Sequence, residues 1–324
     1  MIEFQNITKT YRVVKRQSGL GNAVKALFSR EYETIYALSN VSFQVANGEI
    51  VGYIGPNGAG KSTTVKIMCG ILTPDSGKCI VNGRNPWKER TAYVKEIGVV
   101  FGQRSQLWWD VPIIDSFELF RDMYGIESNV YNHNLSELTT LLELNELLKT
   151  PARNLSLGQR MRCEIAASLL HDPKVLFLDE PTIGLDAVSK IAVRKFIKRI
   201  NKERGTTVII TTHDMQDIEA LTERVLLIGH GKILLDGKLE ELKRKTSTEK
   251  KIDIKFVGAS PTICTGMKCQ MIKQNQMLIS LDPNILSVPD AIAYLAAHTG
   301  LTDVSVSDIS TEEMVATLYK EYDI

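Results

Sequence analysis

Between residue 1 and about residue 237, short apolar runs alternate with stretches whose apolar residues recur every three or four positions. The runs are "EIVGYIG" (49–55), "EIGVVFG" (96–102), "KVLFLDE" (174–180), "TTVIITT" (206–212) and "RVLLIG" (224–229). Several are almost wholly apolar, which suits strands covered on both faces of a parallel sheet. The segments 61–72 and 187–203 carry helical spacing between them, so the plan is α/β. Residues 115–170 interrupt the alternation and read as consecutive helices, with "LSELTTLLELNELLK" (135–149) as the clearest amphipathic stretch. The pattern predicts a helical subdomain inserted at about 104–170.

Beyond residue 237 the pattern changes. "KLEELKRKTSTEKK" is charged and turn-rich and reads as a linker over 238–250. Strand-like "KIDIKF" and "QMLISL" follow, then a helix near 288–298, strand-like "TDVSVSD" and a last helix in "TEEMVATLYKEY". Residues 251–324 are therefore expected to form a small α+β domain. Near the start, 12–35 separates two strand-like runs by a basic, helix-containing excursion (Arg12, Lys15, Arg16, Lys25, Arg30).

Charge and composition narrow the partners more than the fold. The 39 Lys and Arg nearly cancel the 38 Asp and Glu, so no phosphate-binding field points to nucleic acid. The five cysteines (Cys69, Cys79, Cys163, Cys264, Cys269) show neither metal-ligand spacing nor an even count for a disulfide framework. A reducing cytosol is the simplest setting, with Cys69 and Cys163 as core residues and Trp87 packed between a turn and a helix. "MIEFQNITKTY" lacks the apolar core of a signal peptide. The apolar runs fall well short of the roughly 18–20 residues of a membrane span.

Chemistry concentrates in three places. "GPNGAGKST" (55–63) fits G-x-x-x-x-G-K-[ST] between an apolar strand and a helix. Its glycines let backbone N–H groups turn toward phosphate oxygens at a helix N-terminus. Lys61 then reaches the phosphates and the Ser62 hydroxyl ligates Mg²⁺. "VLFLDEP" (175–181) ends a strand in Asp179 and Glu180, at the sheet edge where open α/β folds bind ligands. Asp179 is expected to hold the metal and Glu180 to polarise water. "NLSLGQRMR" (154–162) places Ser156 as an N-cap, with Gly158 and Gln159 opening a helix. This is a second anion site in a chain that already has one. A head-to-tail dimer resolves the duplication, each chain's Ser156–Gly158 loop closing on the other chain's nucleotide.

With these motifs the chain resembles the ATP-binding-cassette family from residue 1 to about 237. "GPNGAGKST" is similar to its Walker A loop, "VLFLDEP" to Walker B and "LSLGQ" to its signature. Gln103 falls at the Q-loop, "GLD" (184–186) at the D-loop and His213 at the switch histidine. The resemblance implies a P-loop NTPase fold that binds ATP and Mg²⁺. The implied nucleotide contacts are Tyr11, Gly55, Pro56, Asn57, Gly58, Ala59, Gly60, Lys61, Ser62, Thr63, Ser156, Gly158, Gln159 and Asp186. Ser62, Gln103 and Asp179 are the implied metal ligands, and Glu180, His213 and Gln103 the catalytic set. Two departures stand out. Leu157 occupies a position where the family usually has glycine, and the 12–35 excursion makes Tyr36 a rival to Tyr11 for stacking on adenine.

The same resemblance implies partners and a place. Two cassettes would sandwich two ATPs and drive a separate membrane permease from the cytoplasmic face, most simply an exporter. The alternative is a non-transport cassette acting on a soluble or ribosomal partner. Against it stand the short interval between Walker A and signature and the presence of only one cassette. Cargo belongs to the permease. The basic excursion would touch lipid headgroups or the permease, or else form a solvated hairpin. "QRSQLWWD" (103–110) leads from Gln103 into the subdomain that meets the permease in this family. Of Trp108 and Trp109, one is expected to pack beneath the subdomain and the other to face outward as an interface anchor.

Overall fold

The computed structural model describes residues 1–14, 32–102, 104–246, 249–258 and 260–324. The chain divides into two compact units, Met1–Gly237 and Lys238–Ile324. In the first, a six-stranded sheet has the order β5-β6-β7-β3-β8-β9. Its strands are β3 (Ile50–Ile54), β5 (Ile97–Phe101), β6 (Val175–Asp179), β7 (Thr207–Thr211), β8 (Arg224–Gly229) and β9 (Lys232–Lys238). The β5/β6, β6/β7, β7/β3 and β3/β8 pairs are parallel. Val175–Leu178 and Val208–Ile210 are buried without alternation, because apolar side chains meet cover on both faces. Parallel strands end at one edge. That edge collects Gly55, Gly102, Glu180 and Thr212 in neighbouring loops.

A second, antiparallel sheet joins β2 (Tyr32–Val45), β1 (Ile2–Val14) and β4 (Ser76–Val81) in that order. The β1–β2 ladder runs from Ile2↔Val45 to Val14↔Tyr32. Residues 12–14 and 32–35, read from the sequence as part of an excursion, therefore continue the two strands. The helix expected within that excursion lies outside the described residues.

Helices α1 (Lys61–Met68), α5 (Ala187–Arg204) and α6 (Met215–Leu221) follow the strand ends. The inserted subdomain contains α2 (Ile113–Tyr124), α3 (Ser128–Leu141) and α4 (Leu157–Leu169). Phe117, Phe120, Leu138, Met161 and Ile165 share its core. The stretch 135–149 is only half helical. α3 stops at Leu141, and Glu143 adopts φ +53°. Turns then deliver Leu142, Leu144 and Leu147 to the core one by one. Helical spacing there reflects burial, which turns satisfy as well as a helix does.

The second unit holds an antiparallel sheet of order β11-β12-β10-β13. Its strands are β10 (Lys250–Val257), β11 (Met267–Lys273), β12 (Gln276–Leu281) and β13 (Gly300–Ser307). Ile252, Ile254, Ile279 and Leu281 pack against Ala291 and Leu295 of α8 (Val288–His298). Part of the expected linker is structured: α7 (Leu239–Thr246) buries Leu239 and Leu242 and meets α9 (Thr311–Glu321). Two leucines three apart give this charged segment an apolar stripe, enough to anchor a short helix. Among the described residues, no helix is long and apolar enough to cross a membrane.

Candidate functional site

The loop 55–60 turns sharply from β3 into α1. Gly60 adopts φ +113°, and a Cβ there would stand 2.6 Å from the Ala37 carbonyl oxygen. Only glycine meets both demands. Lys61 opens α1 and is buried, with Nζ donating to the carbonyls of Gly55 (2.6 Å) and Pro56 (3.0 Å). Burial pulls its pKa down, while Glu180 and Asp179 pull it up. Behind the loop Thr64 donates to the Gly60 carbonyl (3.1 Å) and lies 3.0 Å from the Tyr53 hydroxyl. Ala59 is buried within the loop, and Ser62 is exposed.

Two strands away, β6 delivers the carboxylates. Thr211 of β7 donates to Asp179 Oδ1 (2.5 Å), and the Glu180 amide donates to the Thr211 carbonyl (2.9 Å). Glu180 has φ +56°, which turns its side chain out of the sheet. His213 Nδ1 lies 3.5 Å from Glu180 Oε1. A cleft of about 350 Å³ is lined by Asn57, Ser62, Asp179 and Glu180, together with Lys66, Ile71, Phe101, Gly102 and Arg104.

The structure thus brings the 55–63 loop, Asp179, Glu180 and His213 together. Gln103, expected in both the catalytic and metal sets, lies outside the described residues. Tyr11 and Tyr36 are both exposed, and register separates them. Tyr11 pairs with Ile35 and Tyr36 with Thr10, so the two rings fall on opposite faces of the ribbon.

Ser156, Gly158 and Gln159 do not line this cleft. They form a capping box at the start of α4: the Gln159 amide donates to Ser156 Oγ (3.2 Å) and the Ser156 amide to Gln159 Oε1 (2.9 Å). Asp186 caps α5, accepting from the amide (2.9 Å) and hydroxyl (2.8 Å) of Ser189, whose amide first and hydroxyl second hold its pKa down. The two caps are neighbours. A Cβ on Gly158 would sit 2.5 Å from Ser189 Oγ, and one on Gly184 would sit 2.7 Å from Leu157 Cδ2. The leucine that departs from the family pattern therefore packs on the glycine of "GLD".

Sequence reasoning missed a buried network behind His213. Asp217 accepts from Arg194 Nε (2.6 Å), Thr212 Oγ1 (3.1 Å) and the Thr182 hydroxyl. Asp214 pairs with Lys190 (2.6 Å); burial raises its pKa, but Lys190, the Gln216 amide and Arg194 together outweigh it and the net shift is downward. Acids at 214 and 217 and bases at 190 and 194 each share a helix face, a signal that only the tertiary fold connects.

A strand–loop–helix phosphate cradle beside paired carboxylates at the edge of a parallel sheet defines a P-loop NTPase. A family model described as ABC transporter matches residues 38–183. The daunorubicin resistance ATP-binding protein DrrA3 of Streptomyces coeruleorubidus is 30% identical over 260 residues, 80% of each chain. The "probable multidrug ABC transporter ATP-binding protein" YbhF of Escherichia coli strain K12 is 34% identical over 227 residues. That match covers 69% of this chain but only 38% of YbhF's length. A solved post-hydrolysis dimer of an ATP-binding cassette bound to ADP and Pi is similar at TM-score 0.62 and 27% identity, covering 74% of this chain and 99% of that one. The chain belongs to the ABC transporter ATP-binding family and is an ABC ATPase cassette.

Proposed function

We propose that this chain hydrolyses ATP with Mg²⁺ as one half of a two-cassette sandwich and drives a separate membrane permease, in the direction of export. The observation that carries the reading is that Ser62, Asp179 and Glu180 line one cleft, with Lys61 bonded into the loop beside Ser62 and His213 3.5 Å from Glu180. The site fits the metal: an exposed hydroxyl and one carboxylate suit Mg²⁺, which takes its remaining ligands from phosphate and water. Accordingly, among the described residues no cluster of three or more acidic, His or Cys side chains stands ready to hold a metal alone. Bound Mg²⁺ would neutralise charge on the transferring phosphoryl group. Lys61 holds phosphate oxygens, Glu180 accepts the proton of the attacking water, and His213 keeps that water and Glu180 aligned. Gln103 is proposed to complete the metal and water contacts.

Ser156 and Gly158 are read as the contacts to the partner chain's ATP, with Asp186 at the same junction and Tyr11 on adenine. Two features support this. Ser156, the N-cap of α4, is exposed, and a relative's fold is known as a dimer with ADP and Pi. The export direction is supported by the multidrug and daunorubicin resistance names of two relatives. The exposed Trp108 and Trp109 are the proposed permease contact, and the reading includes a position on the cytoplasmic face of a membrane.

The test is Glu180→Gln. It should bind ATP, dimerise, and lose about 10²-fold or more in turnover. Near-normal turnover overturns the assignment of Glu180. Direction is read separately, from ATP-driven cargo uptake into inside-out vesicles carrying the permease.

A further inference from the structure

Trp108 and Trp109 do not divide between core and surface. Both are exposed, at 58% and 49%, and Leu107 is the residue that packs inward. A loop that displays two indoles to solvent needs another source of rigidity, and α4 supplies it. Glu164 is 3% exposed and takes hydrogen bonds from the Ser105 hydroxyl and the Gln106 amide (3.2 Å), while the Leu107 amide donates to Ser105 Oγ (3.2 Å). The Gln106 side chain donates in turn to the Glu164 carbonyl (3.1 Å). One helical turn earlier, the Arg160 guanidinium lies 5.6 Å from the centre of the Trp109 ring. Residues 160 and 164 share a helix face. The same helix begins at the Ser156 capping box.

We propose that Glu164, assisted by Arg160, is a positioning residue that fixes the tryptophan loop to α4, so that the indoles and the Ser156–Gly158 helix start move as one body when ATP closes the sandwich. Neither residue lines the cleft. Burial pushes the Glu164 carboxyl up, while its Ser105 and Gln106 donors pull it back. Such an acid is retained where its hydrogen bonds fix a geometry. The proposal rests on the reading of Ser156–Gly158 as an ATP contact. It adds the element that relays that contact to the permease-facing surface.

The experiment uses the full chain carrying Trp87→Phe, so that tryptophan fluorescence reports only Trp108 and Trp109. A non-hydrolysable ATP analogue with Mg²⁺ should change their acrylamide quenching. Glu164→Met keeps the volume but removes the acceptors. It should abolish that change while analogue affinity stays within about threefold, and amide exchange at Gln106 should quicken about tenfold or more. Glu164→Gln should restore the response, because its carbonyl still accepts from the Gln106 amide and its NH₂ meets Ser105. If Glu164→Met does not fold, Ser105→Ala combined with Arg160→Ala should weaken the response in the same direction. Normal analogue binding with an unchanged response in these variants overturns the coupling alone, as does a wild-type background without any response. Absence of analogue binding in the wild-type background overturns the ATP-site reading as well.

Discussion

Lys61 and Ser156 each stand at the start of a helix and are both assigned to phosphate, yet their surroundings are opposite. Lys61 is buried, bonded to two carbonyls of its own loop and flanked by Asp179 and Glu180. Ser156 is exposed, and its hydroxyl and amide are satisfied by Gln159 alone. The first is shaped by this chain before any ligand arrives, whereas the second offers a helix start with no catalytic group of its own chain beside it. A site finished by one chain binds nucleotide by itself. A surface that needs a second chain turns binding into assembly.

Lys61→Ala should break this comparison most severely. Loss of the buried lysine of the phosphate loop should weaken ATP binding about 10³-fold, equivalent to about 4 kcal/mol, in a titration with a fluorescent ATP analogue. Asp217→Ala strikes the same half from behind. Removing the acid leaves Arg194 buried without its closest partner and should lower unfolding free energy by about 3 kcal/mol in urea. Ser156→Asp addresses the other half. Aspartate caps a helix as well as serine does, so stability should hold, but a carboxylate would repel the incoming phosphate. ATP-dependent dimerisation measured by light scattering should weaken about tenfold, near 1.4 kcal/mol, with monomer ATP affinity retained. Equal loss in both measurements would merge the two sites into one.

The smallest effect is expected at Asp75, which tethers β1 beside Tyr11. The Lys9 ammonium, then the Thr10 hydroxyl and amide, hold its carboxyl near pKa 2, below its ordinary 3.8. Its folded pKa is depressed. The contribution is therefore present above about pH 4 and disappears as pH falls toward 2. The side chain is 39% exposed, so solvent screening limits the gain to under about 1 kcal/mol. Asp75→Asn should flatten the stability profile over that window and leave ATP affinity at pH 7 unchanged.

The difference between the two halves also explains what the sequence revealed. The phosphate loop and the strand-end carboxylates are legible because their chemistry is local: glycine spacing, a lysine and a strand terminus lie within a few residues. The α/β plan was equally plain, since strands buried on both faces read as unbroken apolar runs. The Asp217–Arg194 pair was not legible, because its members are 23 positions apart and meet only when α5 packs on α6. Leu157 could be flagged as a departure, but its contact with Gly184 belongs to the fold. Trp108 and Trp109 do not share out core and surface as the sequence suggests, because Leu107 takes the buried position and leaves both indoles exposed.

The backbone of Glu180, at φ +56°, sits in a region that glycine occupies freely and that burdens any other residue by about 1 kcal/mol or more. Folding alone would favour glycine here, and the proposed chemistry requires the acid. The two criteria rank residues at position 180 in opposite orders. A selection scored only on heat resistance would drift toward cassettes that fold better, still close on ATP, and never let it go.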